Sequence, residues 1–198
     1  RKYKRFLRVD FEYRCAYCHI PEIRNGSSRN CAVEHFRPKS KLEFAHLKCV
    51  YSNLYYACFA CNDFKGSRWP AALEEAGGFR FLDPCVDDFI EHLDVAADGS
   101  MLPLTPGGSY TSAHLNLNRE FLREWRAEKR QLRRRIEHLR LRIDELTAAL
   151  VDWQSATPVP RGSSRLASEV LKTIAAMKKN FAALESRMTR EFGDWWRG

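Results

Sequence analysis

No stretch of this 198-residue chain reaches the roughly 18 consecutive apolar residues that a membrane-spanning helix needs. Its basic start, RKYKRFLRVD, runs into polar and cysteine positions with no apolar segment behind it. Neither membrane insertion nor secretion is therefore expected, and a cytoplasmic location is. Complete disulfide pairing within the chain is excluded, because seven is an odd number of cysteines. Basic side chains are almost missing from residues 69–118, which hold one against eight acidic. With hydrophobic residues at 44% the chain is too apolar to stay disordered. Its length suits one domain, or one domain with an appendage, and can bury a sizeable core.

What is present is unevenly placed. Residues 1–68 carry a net charge of +8, residues 69–118 of −7 and residues 119–198 of +7. Basic ends around an acidic middle suit a polyanion partner, since clustered Lys and Arg gain affinity by releasing counterions from phosphates. A solvated surface is the competing reading of the same charges. Four of the cysteines form two short pairs, Cys15-Ala-Tyr-Cys18 and Cys58-Phe-Ala-Cys61. Each pair can place two sulfurs on one turn around an ion, so a tetrahedral zinc site is favoured. A thioredoxin-like pair, which would open a helix after a strand, is the weaker alternative. The 39 residues between the pairs exceed a zinc-ribbon gap, so an element is inserted there. Cys31, Cys49 and Cys85 are expected to be ordinary buried thiols.

Residues 3–13 read as a short amphipathic helix or arm, and residues 20–30 as a polar loop with Asn-Gly turn chemistry. Residues 31–36 read as a strand, which Pro38 ends because proline cannot donate to a ladder. After a basic loop to Lys48, a second strand is expected at residues 50–54 and a helix at 56–64, stopped by Gly66. Short apolar runs at 79–104, broken by Asp-Pro and Asp-Gly, suggest a hairpin or irregular cover. Asp83, Asp87 and Asp88 read as acidic cover or solvated charge; His19, beside Cys18, reads as a loop residue because a fifth zinc donor is unnecessary, and His46, His92, His114 and His138 lack metal spacing.

From Leu122 to Trp153, apolar residues recur at three- and four-residue steps, and the spacing resumes from Leu166 to Met188 after a Pro/Gly/Ser break at 155–164. Two long helices can fold back antiparallel and bury the facing stripes. The opposite face of the first carries Arg126, Arg130, Arg133, Arg134, Arg135 and further cations, either a phosphate-contacting face or a solvated one balanced by Glu. Three segments follow: a core at 1–68, an acidic cover at 69–118 and a basic helical hairpin at 119–198.

The run Cys15-x-x-Cys18, Val33-Glu34-His35-Phe36-Arg37-Pro38-Lys39, Tyr51-Ser52-Asn53-Leu54, Cys58-x-x-Cys61-Asn62 and Lys65-Gly66 resembles the ββα-metal fold of the HNH nucleases. More narrowly it is similar to a compact bacterial branch with a tetra-Cys zinc knuckle, which includes Septu-type phage-defence nucleases. Leu115-Asn116-Leu117-Asn118-Arg119 is similar to a later stretch of that branch, with less specificity. The resemblance implies an α+β fold: a zinc-stabilised ββα-metal core, here with a C-terminal antiparallel helical hairpin. It also implies a metal-dependent DNA endonuclease, structural zinc on the four cysteines, and a bracing role for Asn53 beneath the loop that carries the histidine. Asn62 stands where the family name has a histidine. A partner ATPase or other defence protein is a further implication.

The chemistry asks for the same residues. Phosphodiester hydrolysis needs an activated water, positive charge at the phosphorus centre and relief of charge on the leaving 3′ oxygen. An imidazole at His35 suits the base. Oxygen donors from Glu34 and Asn62 suit Mg²⁺ or Mn²⁺. Strand alternation sends Glu34 and His35 to opposite sides, so their convergence requires a bend near Pro38. Arg37, Lys39 and Lys65 are expected to hold flanking phosphates, with Arg130, Arg133 and Arg134 on the hairpin. The competing readings are a catalytically silent zinc module that binds nucleic acid or protein, and a hairpin that drives homo-oligomerisation beside a vestigial core. RNA is an alternative substrate to DNA.

Overall fold

The computed structural model describes residues 2–155 and 163–192. Two compact units divide it, residues 1–127 and residues 128–198. In the first unit, helix α1 (Lys4–Asp10) precedes an antiparallel hairpin of strands β1 (Cys31–His35) and β2 (Leu54–Cys58), and helix α2 (Phe59–Lys65) follows directly. The register pairs Cys31 with Cys58 and His35 with Leu54, so residues 36–53 form one connection at the far end. Both α1 and α2 pack against this hairpin.

The second strand and its helix lie later in sequence than the spacing predicts. Tyr51–Asn53 forms a 3-10 turn, and the strand occupies Leu54–Cys58, all five of whose residues are buried. Its Leu-Tyr-Tyr-Ala-Cys sequence suits a strand covered on both faces, and such a run has no alternation by which to tell it from a buried helix. Helix α2 can start only where its first amides find acceptors. Cys58 supplies one, its sulfur accepting the Cys61 N–H at 3.5 Å. The helix closes at Gly66, whose φ of +52° favours glycine.

The remainder of this unit is a cover of short elements. Helix α3 (Ala72–Ala76) and helix α4 (Phe89–His92) lead into a small antiparallel hairpin of β3 (Leu93–Val95) and β4 (Met101–Pro103). Helix α5 (Pro106–His114) has no counterpart among the sequence expectations, because Pro-Gly-Gly-Ser carries no apolar period. Its start signal is Thr105, whose hydroxyl accepts the Gly108 N–H at 3.1 Å just ahead of a proline in the first turn. A Cβ at Gly108 would sit 2.0 Å from the His92 carbonyl, so only glycine lets α5 approach α4 this closely. The acidic trio is absorbed locally: Asp87 pairs with Arg80 at 2.6 Å, Asp83 accepts the Tyr55 hydroxyl at 2.5 Å, and Asp88 caps α4.

Helix α6 (Glu120–Ser155) continues from the first unit into the second, where it forms a hairpin with α7 (Ser163–Phe192). Glu128 meets Arg187 at 2.6 Å, while a groove of about 680 Å³ brings Arg134, His138 and Leu139 of α6 to Asn180 and Leu184 of α7. As one number rises the other falls, which makes the pair antiparallel. Leu132, Ile136, Ile143, Ile174 and Met188 are buried, whereas Leu166 is exposed. Residues 156–162 of the expected break lie outside the described residues. Arg126 does not belong to the solvent face assigned to it. It is buried, and its guanidinium donates to the carbonyls of Gly99 at 2.6 Å and Leu117 at 2.7 Å.

Candidate active site and metal centre

The two CxxC pairs come together because the hairpin stands between them. The Ala16 N–H donates to the Tyr56 carbonyl at 2.8 Å, stitching the first cysteine turn to β2. That strand ends at the second pair. The Sγ atoms of Cys15, Cys18, Cys58 and Cys61 all lie within 4.8 Å of one another, and Cys18 and Cys58 are 3.9 Å apart. Tetrahedral thiolates at ~2.3 Å from zinc have sulfur edges of about 3.8 Å, so this set fits the ion. Burial pushes the Cys15 and Cys18 thiols up, while hydrogen bonds from Cys15, Cys18 and Cys61 push Cys58 down. A zinc ion in the cluster would hold all four sulfurs as thiolates, so binding would release their protons. This is the one cluster of metal-ligating side chains among the described residues. Cys31 is buried as expected, but Cys49 and Cys85 are exposed.

His35 is the last residue of β1. Its Nε2 lies 3.0 Å from the Lys48 carbonyl. A carbonyl only accepts, so Nε2 carries the proton and the lone pair of the neutral ring is on Nδ1. Burial pulls the imidazole below its ordinary 6.5, opposed by the Lys48 carbonyl and reinforced by Lys39. The ring lines a cavity of about 470 Å³ together with Lys4, Val33, Lys39, Lys48 and Cys49.

Asn53 sits in the turn before β2 and is 5% exposed. Its Oδ1 accepts the Arg37 N–H at 2.8 Å and its Nδ2 donates to the carbonyls of Arg37 at 3.1 Å and Leu47 at 3.4 Å. Both ends of the connection after His35 are thus tied to one side chain.

Glu34 does not converge with His35. The strand stays extended through His35, so no bend reverses the alternation, and the Glu34 carboxylate is directed toward α2. It is 3% exposed, and each oxygen is taken: Lys65 Nζ donates to one at 2.7 Å and the Tyr17 hydroxyl to the other at 2.7 Å. A second bond joins Lys65 Nζ to the His35 carbonyl at 3.0 Å. Lys65, expected on a phosphate, is fully buried and takes no part in the surface. Asn62 is half-buried one turn before Lys65 on α2. Glu34 therefore offers no free oxygen, and a divalent ion on it would compete with the ammonium already there. Arg37 and Lys39 are exposed, with the Arg37 guanidinium 5.8 Å from the Phe44 ring and 5.9 Å from the Trp69 ring.

A ββα element, four clustered thiols at its ends and a histidine closing the first strand meet in one segment. Residues 15–68 match the family model described as HNH endonuclease. That segment, about a quarter of the chain, is an HNH-like domain. No curated protein and no solved structure matches the chain. Within the HNH domain the reading of the residues missed Tyr17, although it lies inside the first CxxC, and the Lys48 carbonyl, which leaves no side-chain signal.

The Glu34–Lys65 pair has a measurable consequence. Removing one partner of a buried, hydrogen-bonded ion pair costs about 3–5 kcal/mol, because the other charge is left without compensation. Lys65→Met is expected to lower the urea unfolding midpoint accordingly. Adding Glu34→Gln should recover part of the loss, so that the double variant falls short of the sum of the single ones.

Proposed function

We propose that the HNH domain hydrolyses phosphodiester bonds of nucleic acid, DNA first among them, with His35 as general base. The observation that carries this reading is the imidazole whose Nε2 is committed to the Lys48 carbonyl while the ring lines a cavity with three lysines. Nδ1 removes a proton from water, the water oxygen attacks phosphorus, and the bond to the 3′ oxygen breaks. The products are a 5′-phosphate and, after protonation from solvent, a 3′-hydroxyl. Lys39 and Lys48 oppose the phosphate charge, Arg37 holds a flanking phosphate, and Asn53 positions the connection behind His35. Because Glu34 is engaged, these steps are assigned to the chain's own groups. The family implies Mg²⁺ or Mn²⁺, which would supply further charge neutralisation.

On the hairpin, Arg134 with Arg135 and His138 in the groove is the proposed second phosphate surface, joined by Arg130; Arg133 is shared with Glu137 at 3.0 Å. The roles in phage defence and beside a partner ATPase rest on the resemblance. The engagement of Glu34 favours one second reading, a zinc module that binds nucleic acid without cutting it. Plasmid DNA incubated with Mg²⁺, Mn²⁺ or EDTA separates the two. Nicked or linear product with 5′-phosphate ends supports hydrolysis. Binding without product from plasmid, single-stranded DNA or RNA in every arm overturns it.

A further inference from the structure

Arg119, immediately before α6, points its guanidinium back into the cysteine cluster. Nη2 lies 3.4 Å from the sulfur of Cys61 and 3.8 Å from those of Cys18 and Cys58. One nitrogen at near-equal distance from three of four clustered sulfurs stands over the face they define, opposite the fourth, Cys15. The other terminal nitrogen donates to the carbonyls of Leu115 at 3.2 Å and Asn116 at 3.1 Å, and the guanidinium lies 5.8 Å from the Phe64 ring. The segment that delivers Arg119 is itself anchored. Leu115 and Leu117 are fully buried, and Asn118 exchanges two hydrogen bonds with the backbone of Met101, at 2.6 and 3.0 Å.

Four thiolates around a Zn²⁺ ion carry a net charge of −2, which a buried site must offset. The Arg119 guanidinium is the cation placed in hydrogen-bond reach of three of those sulfurs.

We propose that Arg119 is a positioning residue of the four-thiolate centre. Its guanidinium closes the Cys18–Cys58–Cys61 face, offsets the thiolate charge and slows both the loss of the metal and chemical attack on the sulfurs. The same contact ties the Leu115–Arg119 segment, remote in sequence, to the HNH domain. The proposal rests on zinc occupying the cluster and is independent of whether His35 cuts nucleic acid.

The test uses the full chain as wild type, Arg119→Met and Arg119→Lys. Bound zinc is counted first by elemental analysis, since a wild type without zinc defeats the occupancy itself. Zinc transfer to a colorimetric chelator and cysteine alkylation by N-ethylmaleimide, followed by mass spectrometry, are then timed below the unfolding transition. Outer partners of metal ligands typically contribute about 10–100-fold to metal retention, so Arg119→Met is expected to release zinc faster by that factor. Alkylation should accelerate in parallel, and Arg119→Lys, which keeps the charge but not the fork, should fall between. Zinc release and alkylation at wild-type rates in both variants overturn the proposal, even if their unfolding midpoints drop. Should Arg119→Met not fold, Arg119→Lys decides, with unchanged release again overturning it.

Discussion

Replacing Cys58 by Ser, or stripping zinc from the reduced protein with a strong chelator, is expected to unfold the HNH domain while the long helices keep their signal. The four cysteines are between 0 and 3% exposed, so their sulfurs form part of the core. Beyond them the domain has a two-stranded sheet and a seven-residue helix, too little to be stable alone. Structural zinc sites contribute apparent binding energies of about 10–16 kcal/mol, more than the whole stability of most domains of this size. Cys58 also has a second role, since its sulfur accepts the Cys61 N–H that starts α2. Near-UV circular dichroism and limited proteolysis should show loss of residues 15–68, reversed in the stripped wild type by zinc under reducing conditions. A stripped domain that keeps its near-UV signal and resists protease would contradict this.

His35→Ala is the second large effect, and it should fall on rate rather than on stability. General-base assistance is typically worth about 10²–10⁴-fold, so cleavage should drop by at least two orders of magnitude. The side chain is half-buried and makes one hydrogen bond, to Lys48, so the loss in stability should stay near ~1 kcal/mol. Lys65→Met should show its larger effect on stability, since Lys65 is fully buried and lines no part of the His35 cavity.

The parts legible in the sequence are those whose signal is local. Two CxxC pairs announce a tetrahedral site because each is a single turn, and the stripes from Leu122 and Leu166 announce two helices because the period repeats many times. Strand β2 lies four residues beyond its expected start because 54–58 is buried on both faces and has no alternation, and α5 leaves no pattern because its glycines serve close packing instead of a period. Long-range pairings are out of a sequence's reach. Glu34 reads as a free carboxylate until the fold brings Lys65 and Tyr17 to it from 31 and 17 residues away. Arg119 reads only as the end of a family-like stretch until the fold carries it over sulfurs up to 101 residues distant. A polar residue's neighbours, and with them its role, are set by topology.

The central claim is that the neutral imidazole of His35 takes the proton from the attacking water, and the pH dependence of single-turnover cleavage tests it most directly. Burial holds the His35 imidazole below 6.5, so the base form prevails at neutral pH. The wild-type rate should be level from about pH 7 to 8 and fall tenfold per unit once the pH drops below that depressed value. In His35→Ala, at equal zinc content, the residual rate should lose this acid limb. A wild-type profile with no acid limb, or a limb that survives unchanged in His35→Ala, would contradict the account.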